Sequence, residues 1–411
     1  MGASPLFYDE PLHLVRGEGV YLYASDGRRY LDCYNNIPAV GHCNAQVVQA
    51  IARQASTLNV HSRYVSDNVV EYAERLLGTF GAELDQMIFT CTGSEANDQA
   101  LRMARMLGRG KGMICTDYTY HGNTEAVSQV SPLFHRARQY FTEVRTIPFP
   151  DSYRPLDGLS GDALADAYVA KVQGAIDSFE QAGIGLAGMI LCSIFANEGL
   201  PTVPPGFLEK ATNLIRKAGG LVIADEVQAG FGRTGKMWGH DLMGFAPDIV
   251  TLGKPMGNGY PVAALVSRAE LLDAFRDKVF YFNTFAGAPV AAAAAGAVLD
   301  VIEQQHLLDN ARRVGDYIRD GFKRLATRHP LMGDIRGVGL WVGVELVRDR
   351  GSKTPATADT AQLVNLLKES GVLISRIGPY DNVLKIRPPL IFSREHADEL
   401  LDAVDSCIER L

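Results

Sequence analysis

Apolar positions along this chain follow two rhythms, and the switches between them mark out its elements. From about residue 46 to 310 a helical period alternates with short apolar runs. Val47 to Leu58 reads as a helix, Met87-Ile88-Phe89-Thr90 as a strand, and Glu95 to Leu107 as a helix with an apolar face at Ala96, Ala100, Leu101, Ala104 and Leu107. Strand-like runs follow at Gly112 to Cys115, Ala187 to Leu191, Leu221 to Ala224 and Asp248 to Leu252. Such alternation predicts βα units on a mostly parallel sheet. Before it, Val20 to Tyr23 and the turn Asp26-Gly27-Arg28 suggest a small hairpin. After it, periodicity from Ala291 to about Arg328 predicts one long linking helix. The rest reads DIRGVGLWVGVELV, a helix Thr357 to Ser370, VLISR, NVLKIRPPL and a final helix from Glu395, a pattern in which strands return in pairs. The expectation is therefore an α/β chain: an N-terminal segment over 1–45 packing with the small domain, a large domain over 46–310, and a smaller α+β C-terminal domain over 311–411.

Composition narrows the class without changing that picture. With 47% hydrophobic and 21% charged residues the 411-residue chain has the make-up of a soluble globular protein. A net charge of -7 gives no reason to expect nucleic acid as a partner. The six cysteines, Cys33, Cys43, Cys91, Cys115, Cys192 and Cys407, are scattered with no C-x-x-C pair, which argues for reduced thiols and against a disulfide framework or a metal site. The first residues lack a basic and apolar leader pattern. Ala286 to Leu299 is too short to span a bilayer and contains Pro289. A cytoplasmic protein with no membrane partner is the expectation.

The chemistry concentrates between Leu221 and Pro261. One apolar run stops at a carboxylate, Asp225, and a second stops at Gly253-Lys254-Pro255. In α/β sheets ligands sit beyond the carboxyl ends of strands, so the two side chains are candidates for one crevice. An acid and an amine there suit pyridoxal 5′-phosphate (PLP), which needs a Schiff-base lysine and an acidic partner for its pyridinium nitrogen. Each residue also has an ordinary use: lysines mostly solvate a surface, and Asp caps helices. Thr92-Gly93-Ser94, between a strand and an amphipathic helix, could form a phosphate cup from backbone N–H groups or simply hold a serine N-cap. Gly230 to Lys236 fits a P-loop until Met237 stands where a Ser or Thr is required, and Gly337, Gly339 and Gly343 miss the dinucleotide spacing.

The runs DEVQAGFGRTG (225–235) and PDIVTLGKPMGNGYPVAAL (247–265), with GSEAN at 93–97, resemble the signature of the class III (subgroup II) aminotransferases, PLP enzymes of fold type I. That resemblance implies Lys254 as the Schiff-base and proton-shuttling lysine, and Asp225 as the pyridinium partner. It implies Thr92, Gly93 and Ser94 around the cofactor phosphate, and Tyr120 stacked on the ring within Tyr120-His121-Gly122. It also implies Val227 on a ring face, Gln228 donating to the phenolic oxygen, and Thr284, in Asn283-Thr284-Phe285-Ala286-Gly287, reaching the cofactor phosphate of a neighbouring subunit. The last implies a homodimer with shared active sites.

A nearer likeness is carried by GHC (41–43), HSRYVSDNVVEYAERL (61–76), YFNT (281–284), TPATADTAQ (354–362) and GPYDNVLKIRPPL (378–390). These resemble the ethanolamine-phosphate and phosphohydroxylysine phospho-lyase branch, neighbour to alanine:glyoxylate aminotransferase type 2. Lys385 stands where many aminotransferases have a carboxylate-gripping arginine, with Arg387 two residues on; a lysine is a poorer bidentate clamp and a good phosphate partner. Cys192 stands where most relatives have a glutamate that pairs with the substrate arginine, which argues against an arginine–glutamate switch. Arg63 and Lys385, with Arg387 in reserve, are the candidates for a substrate phosphate. The expected substrate is a small amine or phospho-amine. The expected reaction is elimination of phosphate from O-phosphoethanolamine to give acetaldehyde and ammonia; the alternative is amino transfer to a keto acid.

Overall fold

The computed structural model describes residues 6–134 and 141–411. They form two compact units: residues 46–231 with 236–300, and residues up to 45 with 232–235 and 301–411. The chain opens in the second of these, where β1 (Leu14–Glu18), β2 (Tyr21–Ala24) and β3 (Arg29–Asp32) make an antiparallel meander.

The larger unit holds β4 (Gln86–Thr90), β5 (Gly112–Thr116), β6 (Val144–Ile147), β7 (Leu186–Cys192), β8 (Leu221–Asp225), β9 (Ile249–Leu252) and β10 (Ala263–Ser267). They form one seven-stranded sheet in the order β4-β10-β9-β8-β7-β5-β6. Only β10 runs against its neighbours, pairing antiparallel with both β4 and β9, while the other pairs are parallel. Every residue of β5, β7, β9 and β10 is buried, as strands covered on both faces must be. Against one face lies the helix Gly93–Leu107, whose Ala100, Leu101, Met103 and Ala104 pack with Ile88, Met113, Ile190, Ile223, Ile249 and Leu265 of the strands. Each such aliphatic side chain contributes about 1.5–3 kcal/mol on burial. Because β4, β5, β8 and β9 point the same way, the chain leaves all four at the same edge of the sheet.

The linking helix is two helices, Pro289–Gln304 and Leu307–Ala326. His306 between them takes a left-handed conformation, φ 51°. The expected single helix fails here because neither glycine nor proline marks the break, so the periodicity runs across it. In the smaller unit β11 (Met332–Val338), β12 (Trp341–Asp349), β13 (Thr354–Pro355), β14 (Val372–Leu373), β15 (Ser375–Ile377) and β16 (Val383–Ile386) complete the strands. The antiparallel sheet runs β11-β12-β16-β15 with β13 pairing on β12, and β14 joins β3 in parallel. The helix Leu307–Ala326 approaches so closely that a Cβ on Gly315 would lie 1.9 Å from the Gly339 carbonyl oxygen. Among the described residues no helix is long and apolar enough to cross a membrane, and no group of His, Cys, Asp and Glu could hold a metal ion.

Candidate active site

At the carboxyl edge of the large sheet a cavity opens between the ends of β4, β5, β8 and β9. Beyond β4, Thr92 caps the helix Gly93–Leu107: its hydroxyl accepts from Glu95 N (3.1 Å), and the Glu95 carboxylate accepts in return from Thr92 N (3.0 Å) and Cys91 N (2.7 Å). The cap is therefore Thr92 and not Ser94, which corrects the serine-cap alternative. Capping occupies the N–H of Glu95, and the N–H of Ala96 goes to the Thr92 carbonyl. Gly93 and Ser94, both on the cavity wall, are the positions at which this helix start offers N–H groups to an anion.

Opposite lies Asp225, the last residue of β8, 5% exposed. Its Oδ1 accepts from Val227 N (2.9 Å); its Oδ2 accepts from Asn97 Nδ2 (3.0 Å) and lies 2.7 Å from His121 Nδ1. The other nitrogen of His121 lies 3.0 Å from Thr119 Oγ1. A carboxylate with several donors is held in one orientation, as a partner for a pyridinium nitrogen must be. His121 thus lines the cavity chiefly as the companion of Asp225. Tyr120 beside it is half-buried, and burial first, then the charge of Asp225, raises its phenol pKa.

Lys254 follows β9 by two residues, heads the short turn Lys254–Gly257, and also lines the cavity. Its φ of 27° is a strained value for a residue with a side chain. A Cβ on Gly93 would come 2.9 Å from Val227 Cγ2, so the floor of the cavity is closed by glycine against valine. Val227 and Gln228 complete the wall. A helix start offering N–H groups, an apolar valine, an aromatic, a carboxylate and an amine on one cavity wall fit the phosphate, ring, pyridinium nitrogen and aldehyde of PLP.

Other predicted residues lie elsewhere. Thr284 is exposed and does not line this cavity. Arg63 is exposed too, its guanidinium over the ring of Phe282 (4.4 Å to the centroid) and further from Phe280 (5.8 Å). In the smaller unit Lys385 and Arg387 are both buried, and both cations lie near Trp341, at 5.4 and 5.5 Å from its ring; Arg387 also stacks on Tyr34 at 4.3 Å. Cys192 is buried in register beside Asp225, and burial, then the charges of Asp225 and Glu198, push its thiol pKa up, so it stays neutral.

Sequence reasoning missed Asn97, whose Oδ1 accepts from Thr251 Oγ1 at 2.6 Å, although it lies in the quoted GSEAN run. It also missed two buried acids. Glu226 accepts from Ser193 Oγ, Gly239 N and His240 N and so shapes the loop after Asp225. Glu198 accepts from Thr116 Oγ1 (2.6 Å).

Residues 7–408 match the family model for class-III aminotransferases. A Drosophila melanogaster protein named alanine–glyoxylate aminotransferase 2-like is 40% identical, covering 99% of this chain and 84% of that one. A Caenorhabditis elegans protein named ethanolamine-phosphate phospho-lyase homolog 1 is 36% identical over 98% of this chain and 90% of its own. Among solved structures, a phospholyase from Arthrobacter in complex with phosphoethanolamine superposes with a TM-score of 0.96 at 45% identity, over 100% of this chain and 97% of that one.

Proposed function

This chain belongs to the class III aminotransferase family of PLP enzymes with fold type I, and we propose that within that family it is a phospho-lyase acting on O-phosphoethanolamine. The observation that carries the proposal is the likeness, along the whole of both chains, to the Arthrobacter phospholyase in complex with phosphoethanolamine. Lys385 in place of a bidentate arginine, and a neutral Cys192 in place of a glutamate, agree with a substrate whose anion is a phosphate.

Bound in the cavity, PLP supplies an aldehyde for the substrate amine and a ring that accepts electrons from the carbon next to it. The Gly93 and Ser94 N–H groups would hold its phosphate, Tyr120 and Val227 would flank the ring, and Gln228 would donate to its phenolic oxygen. Asp225, fixed by Asn97, His121 and Val227, keeps the proton on the pyridinium nitrogen. Lys254 Nζ takes the proton from the carbon bearing the substrate nitrogen, and the C–O bond to phosphate on the adjacent carbon breaks. Water then completes the reaction to acetaldehyde and ammonia. On this reading Arg63 and Lys385, with Arg387 in reserve, are the candidates for the substrate phosphate.

A homodimer with shared sites belongs to the same reading, with Thr284 serving the partner's cofactor. Support comes from large apolar side chains left exposed in the segments that carry Arg63 and Thr284: Val65 is 88% exposed, Phe280 82%, Phe285 75% and Tyr64 65%. Amino transfer is the second reading, favoured by the name of the Drosophila relative; there Lys254 redelivers its proton and a keto acid is required. Incubation with O-phosphoethanolamine and no keto acid separates the two. Sustained release of inorganic phosphate supports the lyase. Turnover only when a keto acid is added, with no phosphate released, overturns it.

A further inference from the structure

Asn97 is fully buried in the second turn of its helix, where it reaches the adjacent strands β8 and β9. Asp225 and Thr251 are register partners on those strands, so the asparagine spans one rung of the sheet. Its Nδ2 donates to the carbonyl of His121 (2.7 Å) and to Asp225 Oδ2 (3.0 Å), and its Oδ1 accepts from Thr251 Oγ1 (2.6 Å). The amide cannot be turned over: the reversed group would set its oxygen against two acceptors, the His121 carbonyl and the Asp225 carboxylate. The His121 carbonyl and the Asp225 carboxylate therefore fix which end of Asn97 faces Asp225, the Thr251 hydroxyl donates to the end left over, and the same amide nitrogen ties down the backbone that carries the His121 ring. Both groups that touch Asp225 Oδ2 are thus set by one side chain.

From this geometry we infer that Asn97, supported by the Thr251 hydroxyl, is a positioning residue for the Asp225 carboxylate and through it for the protonation of the cofactor ring. The inference rests on the reading of Asp225 as the pyridinium partner. Other titratable groups around the network are Tyr120, Cys192 and the buried Glu198, held by Thr116. None of them donates to Asp225 among the hydrogen bonds above.

The test is the pH titration of the visible absorbance of the bound cofactor in the holoenzyme, for Asn97→Ala, Thr251→Val and Asp225→Asn, alongside melting of each apoenzyme. Loss of the Asn97 donor is expected to shift the titration midpoint by about half a unit or more and to raise the PLP dissociation constant about tenfold. Thr251→Val removes one hydroxyl at nearly constant volume; its midpoint should move the same way by less, and it decides the matter if Asn97→Ala does not fold. Unshifted midpoints in both, with a lowered melting temperature, would mean a packing role only and overturn the inference. An unshifted Asp225→Asn overturns the parent reading and this one with it. A shifted Asp225→Asn beside unshifted Asn97 and Thr251 variants overturns this inference alone.

Discussion

Adding one methyl group to the cavity floor should weaken cofactor binding more than it weakens the fold. In Gly93→Ala the new Cβ would lie 2.9 Å from Val227 Cγ2 and 3.0 Å from Cγ1, whereas ordinary contact begins at 3.4 Å. Valine is stiff at χ1, so it cannot swing one methyl aside without bringing the other in. The direction left to it is into the cavity, where the ring of PLP belongs. Overpacking of this size costs about 1–3 kcal/mol. If that cost falls on the cofactor-bound state, the PLP dissociation constant rises about 5- to 150-fold. Gly253→Ala is the matched control: its backbone is extended at φ 176°, and its Cβ would meet Gly93 at 3.3 Å, so a smaller rise is expected. Titration of apoenzyme with PLP by fluorescence measures both. In a Val227→Ala background, with the clashing methyls gone, Gly93→Ala should add almost nothing. An unchanged dissociation constant in Gly93→Ala, or a full penalty retained beside Val227→Ala, would refute the assignment of the clash.

The substrate phosphate should register the loss of its cations: Lys385→Met or Arg63→Ala is expected to raise KM for O-phosphoethanolamine about tenfold with a smaller change in kcat, read by phosphate release. Burial, partly offset by the Thr116 hydrogen bond, raises the pKa of Glu198 above its unfolded value. Its stabilisation is therefore complete below the unfolded pKa of about 4.3 and is lost as pH rises through the higher folded value. Glu198→Gln removes this titration, so calorimetry of the apoenzyme at several pH values should show the melting temperature of the variant gaining on wild type as pH rises. His306 occupies a left-handed conformation that glycine adopts without cost, so His306→Gly should stabilise the chain by about 1 kcal/mol in urea unfolding, and a loss would count against strain at that site.

The parts of this architecture that could be read in advance are those that repeat or end abruptly. Alternating helical and strand periods carried the α/β class, since strands buried on both faces leave continuous apolar runs such as Met189 to Leu191. Asp225 and Lys254 stood out because each ends such a run, and the structure has both on one cavity. Asn97 carried no comparable signal. One polar residue in an amphipathic helix looks like a solvent-facing position, and only the long-range contacts to Asp225 and Thr251 reveal its burial. Direction in the sheet was also silent: Ala263 to Ser267 reads like any core strand, yet it is the one that runs backwards. The break at His306 lacks the residues that usually announce one. Glu226 was hidden beside a more conspicuous acid, and its role emerges only through Gly239 and His240, distant in sequence.

That reversed strand also sets an order of events during synthesis. β10 lies between β4, which leads to the phosphate cup, and β9, which leads to the lysine. A nascent chain that has not yet emerged as far as Ser267 lacks the strand that bridges them, and β4 has no other partner in the sheet. Gly93 and Lys254 are both already made by then, but only the helix Gly93–Leu107, through contacts such as those of Asn97 with Asp225 and Thr251, ties the cup to the strands that carry the acid and the lysine. A fragment ending before β10 contains every residue of the cavity wall but lacks the strand between β4 and β9, and is expected to bind PLP more weakly than the full chain.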